Sequence, residues 1–153
     1  MKRCVRYLLP MIVLCAGLLS ASPGQADEKA AAVRMVQDAI SFLQANGLEK
    51  ALDVLNDPKG RFSKGELYVF VYDLAGYMLS NSAKPALIGQ NVMDVPDSVG
   101  KLFRREIIDR ARKEGSGWVD YKTLNPKTKL IEEKTSYFEK SGDLVLACGI
   151  YKR

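Results

Sequence analysis

The chain has 153 residues, with 23 lysines and arginines against 18 aspartates and glutamates, three cysteines and no histidine. The missing histidine removes the usual general base near neutral pH and the commonest metal ligand, so ordinary zinc and haem sites are excluded. It also leaves Cys148 without the partner that would activate it as a nucleophile.

The first residues read as an export signal. Lys2, Arg3 and Arg6 give a positive start, Tyr7 to Leu19 is almost wholly apolar, and Ser22-Pro23-Gly24-Gln25-Ala26 ends on small residues. This order predicts a signal peptide over residues 1–26, cleaved after Ala26, and delivery to the periplasm. The apolar run has thirteen residues and contains Pro10, whereas a spanning helix needs about 20. A retained inner-membrane anchor is the weaker alternative. Bulky Leu14 before Cys15 speaks against a lipidated cysteine. Loss of Lys2, Arg3 and Arg6 leaves 20 basic against 18 acidic residues, which removes the basic excess that would point to nucleic acid. Residues 27–153 remain, enough for one domain, and Cys148 is then the sole cysteine, so no internal disulfide holds the fold.

Helical spacing follows from Glu28 to about Asn46, where Ala32, Met35, Val36, Ala39, Ile40 and Leu43 recur every three to four residues. Asp27 is placed to cap its first turn. Asn46-Gly47 stops or kinks it, and Leu48, Leu52 and Leu55 mark a second short helix. Glu66 to Asp73 is the strongest strand: Leu67, Val69 and Val71 share one face, and Tyr68, Phe70 and Tyr72 the other. A second strand is expected over Tyr77 to Asn81, then an ordered connection with one helical turn to Gly100, and a helix over Lys101 to Glu114. Three strands complete the chain: Gly117 to Leu124, Glu132 to Lys140 and Leu144 to Lys152. This order predicts an α+β fold, a five-stranded antiparallel sheet with a long N-terminal helix across one face and a connecting helix.

The chemistry is concentrated where polar groups flank aromatics. In Trp118-Val119-Asp120-Tyr121-Lys122, alternation puts Trp118, Asp120 and Lys122 on one face and Val119 and Tyr121 on the other. Such a strand can be a half-exposed edge, or a pocket wall in which Lys122 pairs with a ligand anion and Tyr72 and Tyr137 add hydroxyls. Of Arg104 and Arg105, only one can point squarely inward, where it could clamp a carboxylate. Lys84 and Asn81 are weaker candidates. Catalysis has little to stand on. Asp73 and Asp120 have no fixed separation, Ser136 lacks a histidine, and the glycines around Ser116 do not form a phosphate loop. The chain is expected to be no enzyme.

Several segments together resemble the single Cache domain family of extracytoplasmic, PAS-like sensor domains. They are Gly60-Arg61-Phe62, Leu67 to Asp73 with Gly76, Ile88-Gly89-Gln90-Asn91, Gly115 to Lys122, Asn125-Pro126, Lys134 to Tyr137 and Gly149 to Lys152. The resemblance runs from about Ala30 to Arg153 and implies a sheet-face pocket for a short organic acid or amino-acid-like metabolite. It implies a ligand set of Phe70, Tyr72, Arg105, Trp118, Tyr121, Lys122 and Tyr137, and neither metal nor cofactor. Trp118 and Lys122 face away from Tyr121, so one sheet face serves the pocket and the other the long helix, with the assignment open. The chain departs from the family in Asn81-Ser82, where relatives carry histidine-proline, and in Thr123, where a tryptophan is common. It ends just after its last strand, so the implied form is a stand-alone exported sensor, monomer or homodimer, that reports to a membrane receptor or transporter. A ligand-free structural or protein-interaction module with the same fold is the alternative.

Overall fold

The computed structural model describes residues 23–152, so most of the expected signal peptide, with Cys4 and Cys15, lies outside the described residues. Helix α1 spans Pro23–Asn46 and buries Ala32, Met35, Val36, Ala39 and Ile40, one stripe at helical spacing. Asp27 lies inside this helix and does not cap it, a correction to the expected start. Gly47 ends α1 with φ +83°, a left-handed conformation that glycine adopts without strain. Helix α2, Leu48–Asn56, then folds back and buries Ala51 and Leu55. Among the described residues, no helix is long and apolar enough to cross a membrane.

Six antiparallel strands follow: β1 Ser63–Lys64, β2 Leu67–Asp73, β3 Met78–Asn81, β4 Ser116–Leu124, β5 Ile131–Ser141 and β6 Leu144–Tyr151. They run in the order β1-β2-β6-β5-β4, and β3 also pairs with β2. The five expected strands are present. The sixth, β1, pairs Ser63 with Tyr68 and Lys64 with Leu67, too short a stretch for any periodic signal. Tyr77, expected to open β3, instead bridges Asn91 in the connection, which also holds a 3₁₀ turn at Pro85–Leu87. Helix α3, Phe103–Glu114, returns the chain to β4.

The sheet divides the core into two layers. On one face, α1 and α2 cover Val69, Val71, Leu146, Cys148 and Ile150. On the other, α3 with Met78 and Val92 covers Phe70, Tyr72, Val119, Tyr121, Phe138, Val145 and Ala147. The alternation on β2 thus feeds both layers. Packing settles which face belongs to the long helix: the one carrying Trp118.

A loop before α3 is fastened to the sheet by one carboxylate. Asp97 accepts N–H bonds from Val99 (2.9 Å), Lys101 (2.8 Å) and Lys122 (2.8 Å). Desolvation pushes its pKa up, but those three bonds outweigh it and hold the carboxyl below its ordinary range. Asp97→Ala is expected to lower stability by about 1–2 kcal/mol, as loss of a helix-cap-like acceptor does, measured by urea unfolding. An unchanged midpoint would show that water replaces the carboxylate at no cost.

Candidate ligand-binding site

The α3 face of the sheet does not close completely. A cavity of about 300 Å³ opens along β2 and is walled by Tyr68, Phe70 and Tyr72, with Phe103 and Arg104 from α3, Tyr121 from β4, Lys134 from β5 and Tyr151 from β6. The Phe103 and Tyr121 rings stack at 3.8 Å with an interplanar angle of 7°, and the Phe70 and Tyr72 rings meet edge-on at 5.5 Å. Asn81, Lys84 and Thr123 complete the wall on one side, where Lys84 Nζ donates to Thr123 Oγ1 at 3.3 Å. Of the positions that depart from the family pattern, Asn81 and Thr123 line the cavity, whereas Ser82 does not.

Two cations are buried in this wall. Lys134 is 2% exposed and Arg104 8%. Lys134 Nζ lies 4.7 Å from the ring centroids of both Tyr68 and Tyr151. A desolvated cation–π contact is worth about 2 kcal/mol, whereas the effective cost of burying an ion is several kcal/mol. The rings alone therefore do not offset burial, and desolvation lowers the Lys134 pKa to about 8, with Lys84 as a further repulsive neighbour and Cys148 and Glu66 acting the other way. Arg104 Nη1 donates to the Val95 carbonyl at 3.1 Å, while its buried Nε has no partner. Its guanidinium lies over the Phe103 ring at 4.4 Å and beside the Tyr72 hydroxyl. Desolvation raises Tyr68, Tyr72 and Tyr121 above the ordinary tyrosine range, so these phenols stay protonated as donors. Tyr121 Oη and Ser136 Oγ are 3.0 Å apart.

Glycine at position 149 makes room for this arrangement. A Cβ there would stand 2.5 Å from Ser136 Oγ and 2.7 Å from Lys134 Cε, so Lys134 crosses β6 only where that strand has no side chain.

Of the seven residues expected to form the site, Phe70, Tyr72 and Tyr121 line the cavity. The other four do not. Trp118 and Tyr137 project into the α1 layer, ring centroids 5.5 Å apart, with Lys29 Nζ 5.1 Å from the tryptophan ring. Lys122 shares their side of β4, is exposed, and faces Glu133 at 3.8 Å. Strand alternation is the physical reason: Tyr121 on the cavity face puts its neighbours at 118 and 122 on the other. Arg105 is half-exposed, outside the cavity lining, and pairs with Asp94, although its Nε is buried without a partner. Arg104 occupies the inward position instead, because it shares a helical stripe with Ile107, Ile108 and Ala111. Lys134, Tyr68 and Tyr151 complete the cavity without having been singled out. On β5, alternation groups Lys134 with Ser136 and Phe138, and that was the available signal.

The groups weighed for catalysis are otherwise engaged. Asp73 accepts the Tyr77 N–H at 2.8 Å, and Asp120 is paired with Lys152 Nζ at 2.6 Å. Cys148 is buried beside Met35, and desolvation pushes its thiol up to about 12.

The family model described as Single Cache domain 2 matches residues 28–152. No curated protein sequence matches the chain. Among solved structures, the chain is similar to a methyl-accepting chemotaxis protein from Vibrio parahaemolyticus RIMD 2210633, with 23% identity and a TM-score of 0.69 over 83% of this chain and 90% of that one. It is also similar to a periplasmic sensor domain of a chemotaxis protein, with 24% identity and a TM-score of 0.67 over 86% of this chain and all of the other. A third structure is a Cache chemosensory domain described for its recognition of carboxylic acid. It shares 22% identity, with a TM-score of 0.69, over 84% of this chain and 96% of its own. At these identities the likeness is one of fold.

Proposed function

We infer a sensing role from one premise: the chain belongs to the single Cache domain 2 family. Its domain binds a small carboxylate-bearing metabolite on the α3 face of the sheet and acts as a sensor without performing chemistry on what it binds. The observation that carries this reading is the buried pair Arg104 and Lys134, two cations in the wall of one cavity whose lining holds a single acid among the described residues, Glu66. Buried charges are paired in stable folds, and two buried cations against one acid leave a positive cavity that suits an anionic ligand. A core built for packing alone would have filled this space with apolar side chains, which weighs against a ligand-free module. The Cache chemosensory domain noted above, described for carboxylic acid recognition, supports the same ligand class.

The ligand set under this reading is Phe70, Tyr72 and Tyr121, with Arg104, Lys134, Tyr68 and Tyr151. Arg104 offers a planar fork suited to a carboxylate, the phenols donate hydrogen bonds, and the ring faces exclude water. The order of charges in residues 1–26 supports delivery to the periplasm, where a membrane receptor or transporter would be the partner.

Thermal unfolding of the purified protein against a panel of short carboxylates and amino acids tests the assignment. Arg104→Met is expected to weaken the best binder by about 10- to 150-fold, since a charge-assisted hydrogen bond contributes about 1.5–3 kcal/mol. Arg105→Met and Lys122→Met are expected to leave it unchanged. Absence of any stabilising compound, or equal losses from all three substitutions, would remove the basis for the assignment.

A further inference from the structure

Three large apolar side chains at the end of the β4–β5 hairpin belong to neither layer of the core. Leu124 is 53% exposed, Leu130 63% and Ile131 57%. The hairpin also stands clear of the sheet. Pairing between β5 and β6 ends at Lys134 with Tyr151, whereas β4 and β5 stay paired for three more residues, to Leu124 with Ile131, about 10 Å farther. The eight residues from Leu124 to Ile131 include two lysines, Lys127 and Lys129, and no acid. Both lysines are exposed. The acids just below the tip are turned to the hairpin itself: Glu132 accepts from Asn125 Nδ2 at 2.8 Å and from Thr128 Oγ1, and Glu133 faces Lys122 at 3.8 Å. Buried Asn125 fixes the shape of the tip. Its N–H donates to the Leu130 carbonyl and its carbonyl accepts from the Lys129 N–H, both at 2.8 Å. Lys129 holds φ +63°, a left-handed conformation in which glycine would be less strained, so the turn itself gains nothing from a lysine there.

We propose that this tip docks on an anionic lipid surface, with Leu124, Leu130 and Ile131 entering the boundary between headgroups and acyl chains, and Lys127 and Lys129 pairing with lipid phosphates. Exposed apolar side chains flanked by cations bind bilayers through buried area together with charge attraction. The position of α1 supports this orientation. Glu28 lies in a surface groove with Gly149, Ile150 and Tyr151, and Met35, about two turns on, has its sulfur 4.0 Å from that of Cys148. The N-terminal end of α1 and the hairpin tip therefore share one end of the fold. The apolar run Tyr7 to Leu19 ends three residues before Pro23, where α1 begins. A bilayer that takes up that run meets the tip side of the domain.

Leu130→Trp tests the contact on the intact chain. The position is exposed, so the substitution leaves the core untouched, and the single tryptophan of the sequence, Trp118, is packed against the α1 layer and serves as the reference. Vesicles of phosphatidylglycerol and phosphatidylethanolamine with brominated acyl chains are expected to quench position 130 and shift its emission to the blue. They are expected to leave Trp118 of the unsubstituted protein unquenched, and phosphatidylcholine vesicles to give a far weaker effect. Lys127→Gln or Lys129→Gln, each added to Leu130→Trp, is expected to raise the lipid needed for half the effect about fivefold. Quenching at position 130 no stronger than at Trp118, or equal on anionic and neutral vesicles, would overturn the proposal. So would a blue shift that grows with protein concentration in the absence of lipid, which would assign the tip to a second copy of the chain.

Discussion

Phe138→Ala is expected to destabilise the domain by about 3–5 kcal/mol, a large part of the roughly 5–15 kcal/mol that a domain of this size has in total. Phe138 is fully buried on β5, in the layer beneath α3, and its ring lies over the Arg110 guanidinium at 5.5 Å. It also fills the space left by Gly117 on β4, where a Cβ would meet the ring at 3.0 Å. A cavity here cannot collapse easily. The walls are two hydrogen-bonded strands, held in register by Gly117 opposite Phe138 and Phe138 opposite Ala147. Urea unfolding followed by circular dichroism measures the loss. A change below about 1 kcal/mol would mean that α3 settles onto the sheet far more freely than its packing indicates.

The second large effect is a pH dependence set by Lys134. Its folded pKa of about 8 lies below the ordinary value of 10.5, chiefly through burial. Between those values the unfolded chain holds more protons, so this group makes the ligand-free domain more stable as pH rises from about 8, by up to roughly 3 kcal/mol. Below about pH 8 the cost of burying the charge is fully present. Cys148 opposes the trend above about pH 9, and Tyr68, Tyr72 and Tyr121 do so above about pH 10, because each ionises first in the unfolded chain. A stability maximum is therefore expected on the alkaline side of neutrality.

Binding runs the other way. An anion stabilises the protonated lysine, so affinity is expected to be flat below about pH 7.5 and to weaken by up to tenfold per pH unit above about 8. Titration calorimetry at pH 7 and pH 9 separates the two trends. Affinity that stays constant over this range would show that Lys134 does not hold the ligand.

Much of this architecture was legible because periodicity reports directly on burial. The α1 stripe and the two faces of β2 follow from spacing alone. Which face receives the long helix does not, since alternation on one strand gives two equivalent faces until another element covers one. That ambiguity is why Trp118, Lys122 and Tyr121 stood together as candidates although only Tyr121 reaches the cavity. Arg104 was within reach, because its spacing to Ile107, Ile108 and Ala111 is that of a buried stripe. Lys134 was harder. A lysine is ordinarily an exposed residue, and its burial here depends on Tyr68, Gly149 and Tyr151, which reach it only through pairing with strands distant in sequence.

The outer edge of β4 has a further consequence. The carbonyls of Trp118, Asp120 and Lys122 face away from β5, and each is taken: by Arg110 Nη1 at 2.7 Å, Lys101 Nζ at 2.5 Å and the Ser98 N–H at 3.1 Å. The Lys122 N–H is occupied as well, by Asp97. An open strand edge is a template on which another chain can add, and this one has its acceptors filled by its own α3 and the loop before it. Strand addition along β4 would first have to displace these contacts.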